Sequence, residues 1–139
     1  MPDSDDSARV DEPLARSVAV GLAAGRVAIG AGIWLAPGVA WKALGFDQRP
    51  QGAALVLGRL AATRDLVLGG WQLAAVDDRD RLRRLIAAGT LVDAADALAF
   101  GLALREDGMR DAAIRGLAAA AGATVAGAWM TRRLRASES

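Results

Sequence analysis

Four long apolar stretches dominate the pattern of hydrophobic and polar positions along the chain. They cover residues 17–41, 52–76, 85–104 and 112–130. Each has the roughly 20 residues that a helix needs to cross the hydrocarbon layer of a bilayer, or more. The connectors between them are short and carry turn residues and charges. Because short connections place neighbouring helices antiparallel, the pattern predicts an all-α fold, a four-transmembrane-helix antiparallel bundle.

The polar residues inside these stretches do not form the broad polar face of a soluble helix. The third stretch has only a narrow polar wedge, made of Thr90, Asp93 and Asp96. The fourth has an arginine and a threonine as its main polar side chains. A helix that is apolar almost all round must be buried in protein or in lipid. The pattern therefore favours a membrane domain over residues 17–135, with a soluble helical bundle as the alternative.

The second stretch carries charges that oppose its insertion as an isolated helix. Arg59, Arg64 and Asp65 would together cost roughly 8–10 kcal/mol at the centre of a bilayer, while the leucines and valines of the stretch return about 3–5 kcal/mol. The stretch must enter the membrane together with its neighbours, which predicts a packed polar interior.

The two ends of the chain and Pro37 limit the predicted domain. Residues 1–16 combine acidic residues with two prolines and are expected to form a flexible acidic tail, and residues 136–139 a short C-terminal tail. Pro37 lies inside the first stretch and should kink or end the helix there. The residues after it, 38–44, are expected to continue as a shallow segment toward the membrane interface.

The composition excludes several classes of function. The chain has no cysteine and no histidine, which removes disulfides, thiolate or imidazole metal sites and the commonest catalytic nucleophiles and bases. A net charge of +1 and an aromatic content of 4% offer neither a basic field nor a stacking surface for nucleic acid. We therefore predict no catalytic residue, no metal, no cofactor, no nucleic-acid partner and no enzyme activity.

Arginine is distributed unevenly between the two sides of the predicted bundle. One side carries Arg9, Arg16, Arg79, Arg81, Arg83, Arg84, Arg132, Arg133 and Arg135. The other side carries only Lys42, Arg49, Arg105 and Arg110. By the positive-inside rule, the chain is predicted to be a multi-pass protein of the bacterial inner (cytoplasmic) membrane with both termini inside.

Six charged residues fall well inside the predicted spans and form the candidate site: Arg26, Arg59, Arg64, Asp65, Asp93 and Asp96. From the helical rise, five of them lie about 14–18 Å from the cytoplasmic ends, near the middle of the bilayer, while Arg59 lies about 24–25 Å away. Because a lone buried charge is costly, we expect Arg26 and Arg64 to pair with the three aspartates, with Arg59 completing the charge balance. Arg59, Arg64 and Asp65 point in separate directions round their helix, so some of them must meet a different neighbour or a second protomer.

Three interpretations of this charge layer stay open. It is a structural ion-pair network that fixes the helix register, or it lines a polar cavity for a small ligand, ion or proton, or it contains a carboxylate pair for acid–base chemistry. The leading functional prediction is a small binding or accessory membrane component. The alternative is a transporter-like protein that moves a small solute or a proton past Asp93 and Asp96.

The predicted partners are the lipid bilayer and either a second copy of the chain or another membrane protein, while the small-molecule ligand is unknown. A ridge of small residues on the first helix, Gly21, Gly25, Ala28 and Gly32, is typical of close helix packing. This packing is expected within the chain, with a homodimer seam as the alternative.

Several short motifs resemble those of a known family. They are Leu-Ala-Ala-Thr-Arg-Asp-Leu-Val-Leu-Gly at residues 60–69, Val-Asp-Ala-Ala-Asp-Ala-Leu at 92–98, Gly25-Arg26, and Pro37 followed by Leu-Gly-Phe at 44–46. With these motifs, the chain resembles over residues 14–130 a group of small bacterial, largely actinobacterial, integral membrane proteins catalogued only as a domain of unknown function. The resemblance implies four spanning helices and no particular activity, substrate or catalytic residue.

Overall fold

The computed structural model describes residues 4–136, with side chains from 13 to 135, and this part of the chain consists of five α-helices without a strand. The helices are α1 (Ser4–Leu35), α2 (Pro37–Ala43), α3 (Gly52–Ala74), α4 (Arg79–Ala103) and α5 (Arg110–Ala136). The predicted all-α class is confirmed. The helix count differs from the predicted four because the first predicted span is divided into α1 and α2.

Pro37 causes this division, as predicted. It occupies the first position of α2, where a missing N–H costs no hydrogen bond. The residue before it, Ala36, leaves the helical conformation with φ of −138°, because the proline ring disfavours the α region there. α2 ends at Ala43. Gly45, just beyond that end, has a φ of +94°, which suits a glycine after a helix C-terminus.

The N-terminal helix is longer than predicted. Its backbone begins at Ser4, so it includes most of the segment 1–16 that was expected to be a tail. Residues 1–3 and 137–139 lie outside the described residues, as do the side chains before Pro13. The flexibility of both tails therefore stays a prediction.

The long helices associate as two antiparallel pairs. α1 packs mainly on α3, α4 packs mainly on α5, and contacts between the two pairs are sparse. Glycines bring the helices of each pair together. A Cβ atom on Gly30 or on Gly69 would lie 2.7 Å from a backbone oxygen of the facing helix, that of Ala62 or Ala23 respectively. In the second pair, Gly116 faces the ring of Phe100.

An apolar core closes one end of the bundle. It joins the start of α1, the end of α3, the start of α4 and the end of α5, with Ala15, Ala19, Ala75, Leu82, Ile86, Met130 and Leu134 as its buried members. Both described chain ends and the connection between α3 and α4 lie at this end. At the opposite end, where α2 lies, the four long helices leave a cavity between them.

Among the described residues, two helices are long and apolar enough to cross a membrane: Pro13–Leu35 within α1, and Arg79–Ala103. Only 22% and 17% of their most apolar stretches are buried inside the protein. Large apolar side chains elsewhere also face outward, and Val125 on α5 is 70% exposed. α3 carries three charges and α5 is rich in alanine and glycine. Of the four predicted spans, two are thus long and apolar enough to cross a membrane.

The close approach of α1 and α3 predicts different outcomes for two neighbouring glycines. At Gly69 an added Cβ would lie 2.7 Å from Ala23 O and 2.9 Å from a methyl group of Val27, whereas at Gly70 it would meet nothing within 4 Å. We expect Gly69→Ala to destabilise the protein by about 1–3 kcal/mol through overpacking. Gly70→Ala, the matched control, should be neutral or stabilising by up to about 1 kcal/mol. Unfolding in detergent micelles measures both, and equal stabilities of the two variants would contradict the helix pairing.

Candidate functional site

Charged side chains from three helices meet in the middle of the bundle. Arg26 comes from α1, Arg64 and Asp65 from α3, and Asp93 and Asp96 from α4. The two α4 aspartates are three residues apart, so they share one face of the helix. We call these five residues the charge network.

The inner part of the charge network centres on Arg26. Its Nη2 donates to the Asp93 carboxylate and, at 3.1 Å, to the carbonyl oxygen of Gly89. Its Nη1 lies 3.6 Å from Asp65 Oδ1. The side chains of Arg26 and Asp93 are each 11% exposed. A Cβ at position 89 would lie 3.0 Å from Arg26 Nη2, so a glycine there makes room for the guanidinium group.

The outer part is formed by Arg64 and Asp96. Two nitrogens of the guanidinium group donate to the two oxygens of the carboxylate, at 3.1 Å and 2.7 Å. This two-point geometry is the strong arrangement for an arginine and a carboxylate. Arg64 also contacts Asp65 Oδ1 at 3.3 Å. The side chains of Arg64 and Asp96 are 36% and 33% exposed, so this pair forms the accessible side of the network.

These ion pairs connect the two helix pairs to each other. Both arginines belong to the α1–α3 pair, and the two aspartates that accept their shortest hydrogen bonds belong to α4. Contacts between α3 and α4 are otherwise sparse. The remaining carboxylate, Asp65, lies between the two arginines on the α1–α3 side. The charge network therefore holds α4 against α1 and α3 at mid-height.

Arg59, the sixth candidate, lies apart from the network. Its guanidinium carbon lies 5.2 Å from the centre of the Trp34 ring, at a distance typical of a cation–π interaction. Five residues of helix separate it from Arg64, which turns the two side chains about 140° apart. Arg59 was expected to complete the charge balance of the network. It lies over Trp34 instead and does not do so.

A cavity of about 410 Å³ opens beside the charge network. All five network residues line it, together with Gly21, Leu22, Gly25, Ile29, Ile33, Trp41, Leu44, Phe46, Gly58, Ala61, Phe100, Gly116, Ala119, Ala120 and Ala123. It occupies the half of the bundle opposite the apolar core. The wall of charges thus faces a space that is otherwise apolar.

Small residues create this space. A Cβ at Gly21, Gly25 or Gly32 would meet nothing within 4 Å, so the predicted small-residue ridge of α1 does not pack within the chain. Instead, Gly21 and Gly25 open onto the cavity. Intramolecular packing uses Gly30, on another side of the same helix.

The sequence analysis missed the aromatic residues of the cavity. Trp41 and Phe46 stack with ring centroids 4.8 Å apart, and both line the cavity together with Phe100. The sequence did contain an indication of this stacking. Gly45 lies between the two residues, and a glycine after a helix C-terminus reverses the chain so that the next residue can contact the helix.

Gln72 was also missed. It is only 3% exposed, and its side-chain nitrogen donates at 3.1 Å to the carbonyl oxygen of Leu85. Its spacing of seven residues from Asp65 places both on one face of α3, and that spacing was available from the sequence.

The pairing of Arg26 with Asp93 predicts a specific energetic coupling. Without Asp93, Arg26 loses its direct hydrogen-bond partner and keeps only the 3.6 Å contact with Asp65. Asp93→Ala should therefore destabilise the protein by about 1.5–3 kcal/mol, as for a hydrogen bond to a charged group. Combined with Arg26→Ala, the losses should be non-additive by about 0.5–3 kcal/mol. Combined with Arg59→Ala, they should add, because Arg59 lies outside the network. Unfolding of the purified protein in detergent measures the two double-mutant cycles, and additivity with Arg26→Ala would contradict the assigned pairing.

The charge network supplies hydrogen-bonding groups to one wall of the cavity. Within residues 13–135, no three side chains of His, Cys, Asp or Glu are arranged to hold a metal ion. No family model, curated protein or solved structure matches the chain. The arrangement itself offers hydrogen-bonding groups of both charges on one wall and apolar surface on the others, which is the usual constitution of a small-molecule site.

Proposed function

We propose that the chain is a multi-pass membrane protein of the bacterial inner membrane that binds a small amphipathic molecule in the cavity beside the charge network. The cavity carries this proposal, because five charged side chains line one space with Trp41, Phe46 and Phe100. Its volume of about 410 Å³ falls within the range of small-ligand sites. A polar head would meet the charges, and an apolar body would meet the aromatic rings.

Membrane insertion as four spans is supported by the direction in which the side chains point. The charges of α3 turn toward the network or toward Trp34, while Val56, Leu57 and Leu60 face outward. An outward apolar surface with paired charges inside suits lipid as the surrounding solvent. The resemblance to the four-span domain of unknown function belongs to the same proposal.

The orientation rests on the arginines at the core end of the bundle. This end carries Arg16, Arg79, Arg81, Arg83, Arg84, Arg132, Arg133 and Arg135. By the positive-inside rule we assign it to the cytoplasmic side, together with both termini. The cavity then lies in the outer half of the bilayer.

The closed core end favours binding over transport. A transporter-like protein opens its site to each side of the membrane in turn, which here would require the core end of the bundle to come apart. Here the apolar core, with Met130 fully buried, fills the space between the network and the cytoplasmic end. The arrangement offers a site with access from one half of the membrane.

The membrane assignment predicts both fractionation and topology. The protein should stay with membranes in alkaline carbonate, because apolar helices rather than surface charges hold it there. A reporter fused after Ser139 and one inserted between Asp47 and Gln48 should report opposite sides of the membrane. Release of the protein into the soluble fraction, or the same side for both reporters, would contradict the four-span topology.

The binding proposal predicts that filling the cavity removes binding. At Gly25 an added side chain has open space and lines the cavity, so Gly25→Leu should occupy the site without disturbing helix packing. The probes are 2-phenylethanol, benzyltrimethylammonium and phenylacetate, which join one aryl group to a neutral, cationic or anionic head. Binding is followed by the fluorescence of Trp41 in a protein that also carries Trp34→Phe, Trp71→Phe and Trp129→Phe.

At least one probe should change the Trp41 fluorescence saturably, and Gly25→Leu should abolish that change. The matched control is Gly70→Leu, since Gly70 is exposed and lies outside the cavity. The proposal fails if no probe binds, or if Gly25→Leu and Gly70→Leu bind the probes equally.

A further inference from the structure

The charges that line the cavity do not balance. Two guanidinium groups, on Arg26 and Arg64, face the carboxylates of Asp65, Asp93 and Asp96. One negative charge is left in excess. The described residues that line the cavity include no further basic side chain.

Asp65 is the carboxylate whose negative charge is least compensated. Asp93 takes a direct hydrogen bond from Arg26, and Asp96 takes two from Arg64. Asp65 accepts two longer hydrogen bonds from Arg64, both at 3.3 Å, and lies 3.6 Å from Arg26. Both of these guanidinium groups already bind another carboxylate at a shorter distance. Its side chain is 15% exposed and lines the cavity.

The neighbouring basic side chains are directed elsewhere. Arg59 lies over the Trp34 ring. Arg115 donates at 3.2 Å to the carbonyl oxygen of Ala43, in the short helix α2. Neither of them lines the cavity.

An uncompensated charge at this depth of a membrane is costly, so the site gains free energy from a cation. The described acidic groups are not arranged to hold a metal ion. The walls near the aromatic residues are apolar, and the face of a Trp or Phe ring attracts an organic cation. These features favour a cation that brings its own apolar surface.

We infer that the ligand of the cavity is a monovalent organic cation, an amine or quaternary ammonium with an aryl or short alkyl body. Its charged head lies beside Asp65, and its body lies toward Trp41, Phe46 and Phe100. This inference rests on the proposed binding function and adds the charge and class of the ligand.

The test compares two probes of the same shape. Benzyltrimethylammonium carries a quaternary nitrogen, and neopentylbenzene has a neutral carbon in its place. Trp41 fluorescence follows their binding to the full chain in detergent, with Gly25→Leu as the reference for partition into the micelle. We expect the cation to bind roughly tenfold to a hundredfold more tightly than the neutral compound, as for a contact with a charged group.

Asp65→Asn removes the excess charge while Arg26 and Arg64 keep their main partners. It should abolish the preference for the cation and leave the affinity for neopentylbenzene unchanged. Asp107→Asn, an exposed position in the connection between α4 and α5, is the matched control and should keep the preference.

Three results would overturn the inference in distinguishable ways. Equal binding of both probes, lost in Gly25→Leu, would mean that the site binds ligands without selecting a cation. A preference that survives Asp65→Asn would mean that the excess charge lies elsewhere. If neither probe gives a signal that depends on Gly25→Leu but 2-phenylethanol or phenylacetate does, the cavity binds another class of ligand and the inference is overturned. If none of the four compounds gives such a signal, the binding function itself is contradicted.

Discussion

Two arginines on one helix pair and two aspartates on the facing helix hold the halves of this protein together at mid-height. Apart from these ion pairs and the apolar core at one end, there are few contacts between the α1–α3 pair and the α4–α5 pair. A buried charge that loses its partner is strongly destabilising. The relative positions of the helices are therefore fixed by the requirement that each guanidinium group keep its carboxylate.

The same requirement explains why the cavity exists. An arginine and an aspartate that pair across two helices keep the backbones further apart than glycine-mediated contacts do. Within the pairs, Gly30 and Gly69 allow close approach. Between the pairs, the ion pairs act as spacers, and Gly21 and Gly25 leave the resulting space unfilled. One side of the cavity is polar because the ion pairs line it. The other side is apolar because Trp41, in α2, and Phe46, just after α2, line it.

Much of this architecture could be predicted from the sequence because it depends on local properties. The helical class follows from the period and length of the apolar stretches, and the break at Pro37 follows from the geometry of the proline ring. The depth of each charge follows from helical rise alone.

Other features could not be predicted because they depend on how the helices lie side by side. The sequence left open whether Arg26 or Arg64 pairs with Asp93, since both lie at a similar depth. Arg59 shares α3 with Arg64, and its separate position over Trp34 depends on the rotation of that helix. Whether the glycine ridge of α1 packs on another helix or lines the cavity likewise depends on which face of α1 contacts α3.

Single cysteines can test whether the charge network borders a water-accessible cavity in a bundle that is embedded in a membrane. Because the chain lacks cysteine, single cysteines can be placed at two adjacent positions, Gly25→Cys on the cavity and Ala24→Cys on the exposed surface of α1. Thiols react as thiolates, which form in water and not in lipid. In native membranes, a small hydrophilic thiol reagent should label Gly25→Cys rapidly and Ala24→Cys slowly. Equal labelling of the two positions, or faster labelling of Ala24→Cys, would mean that the cavity does not admit water or that α1 does not face lipid.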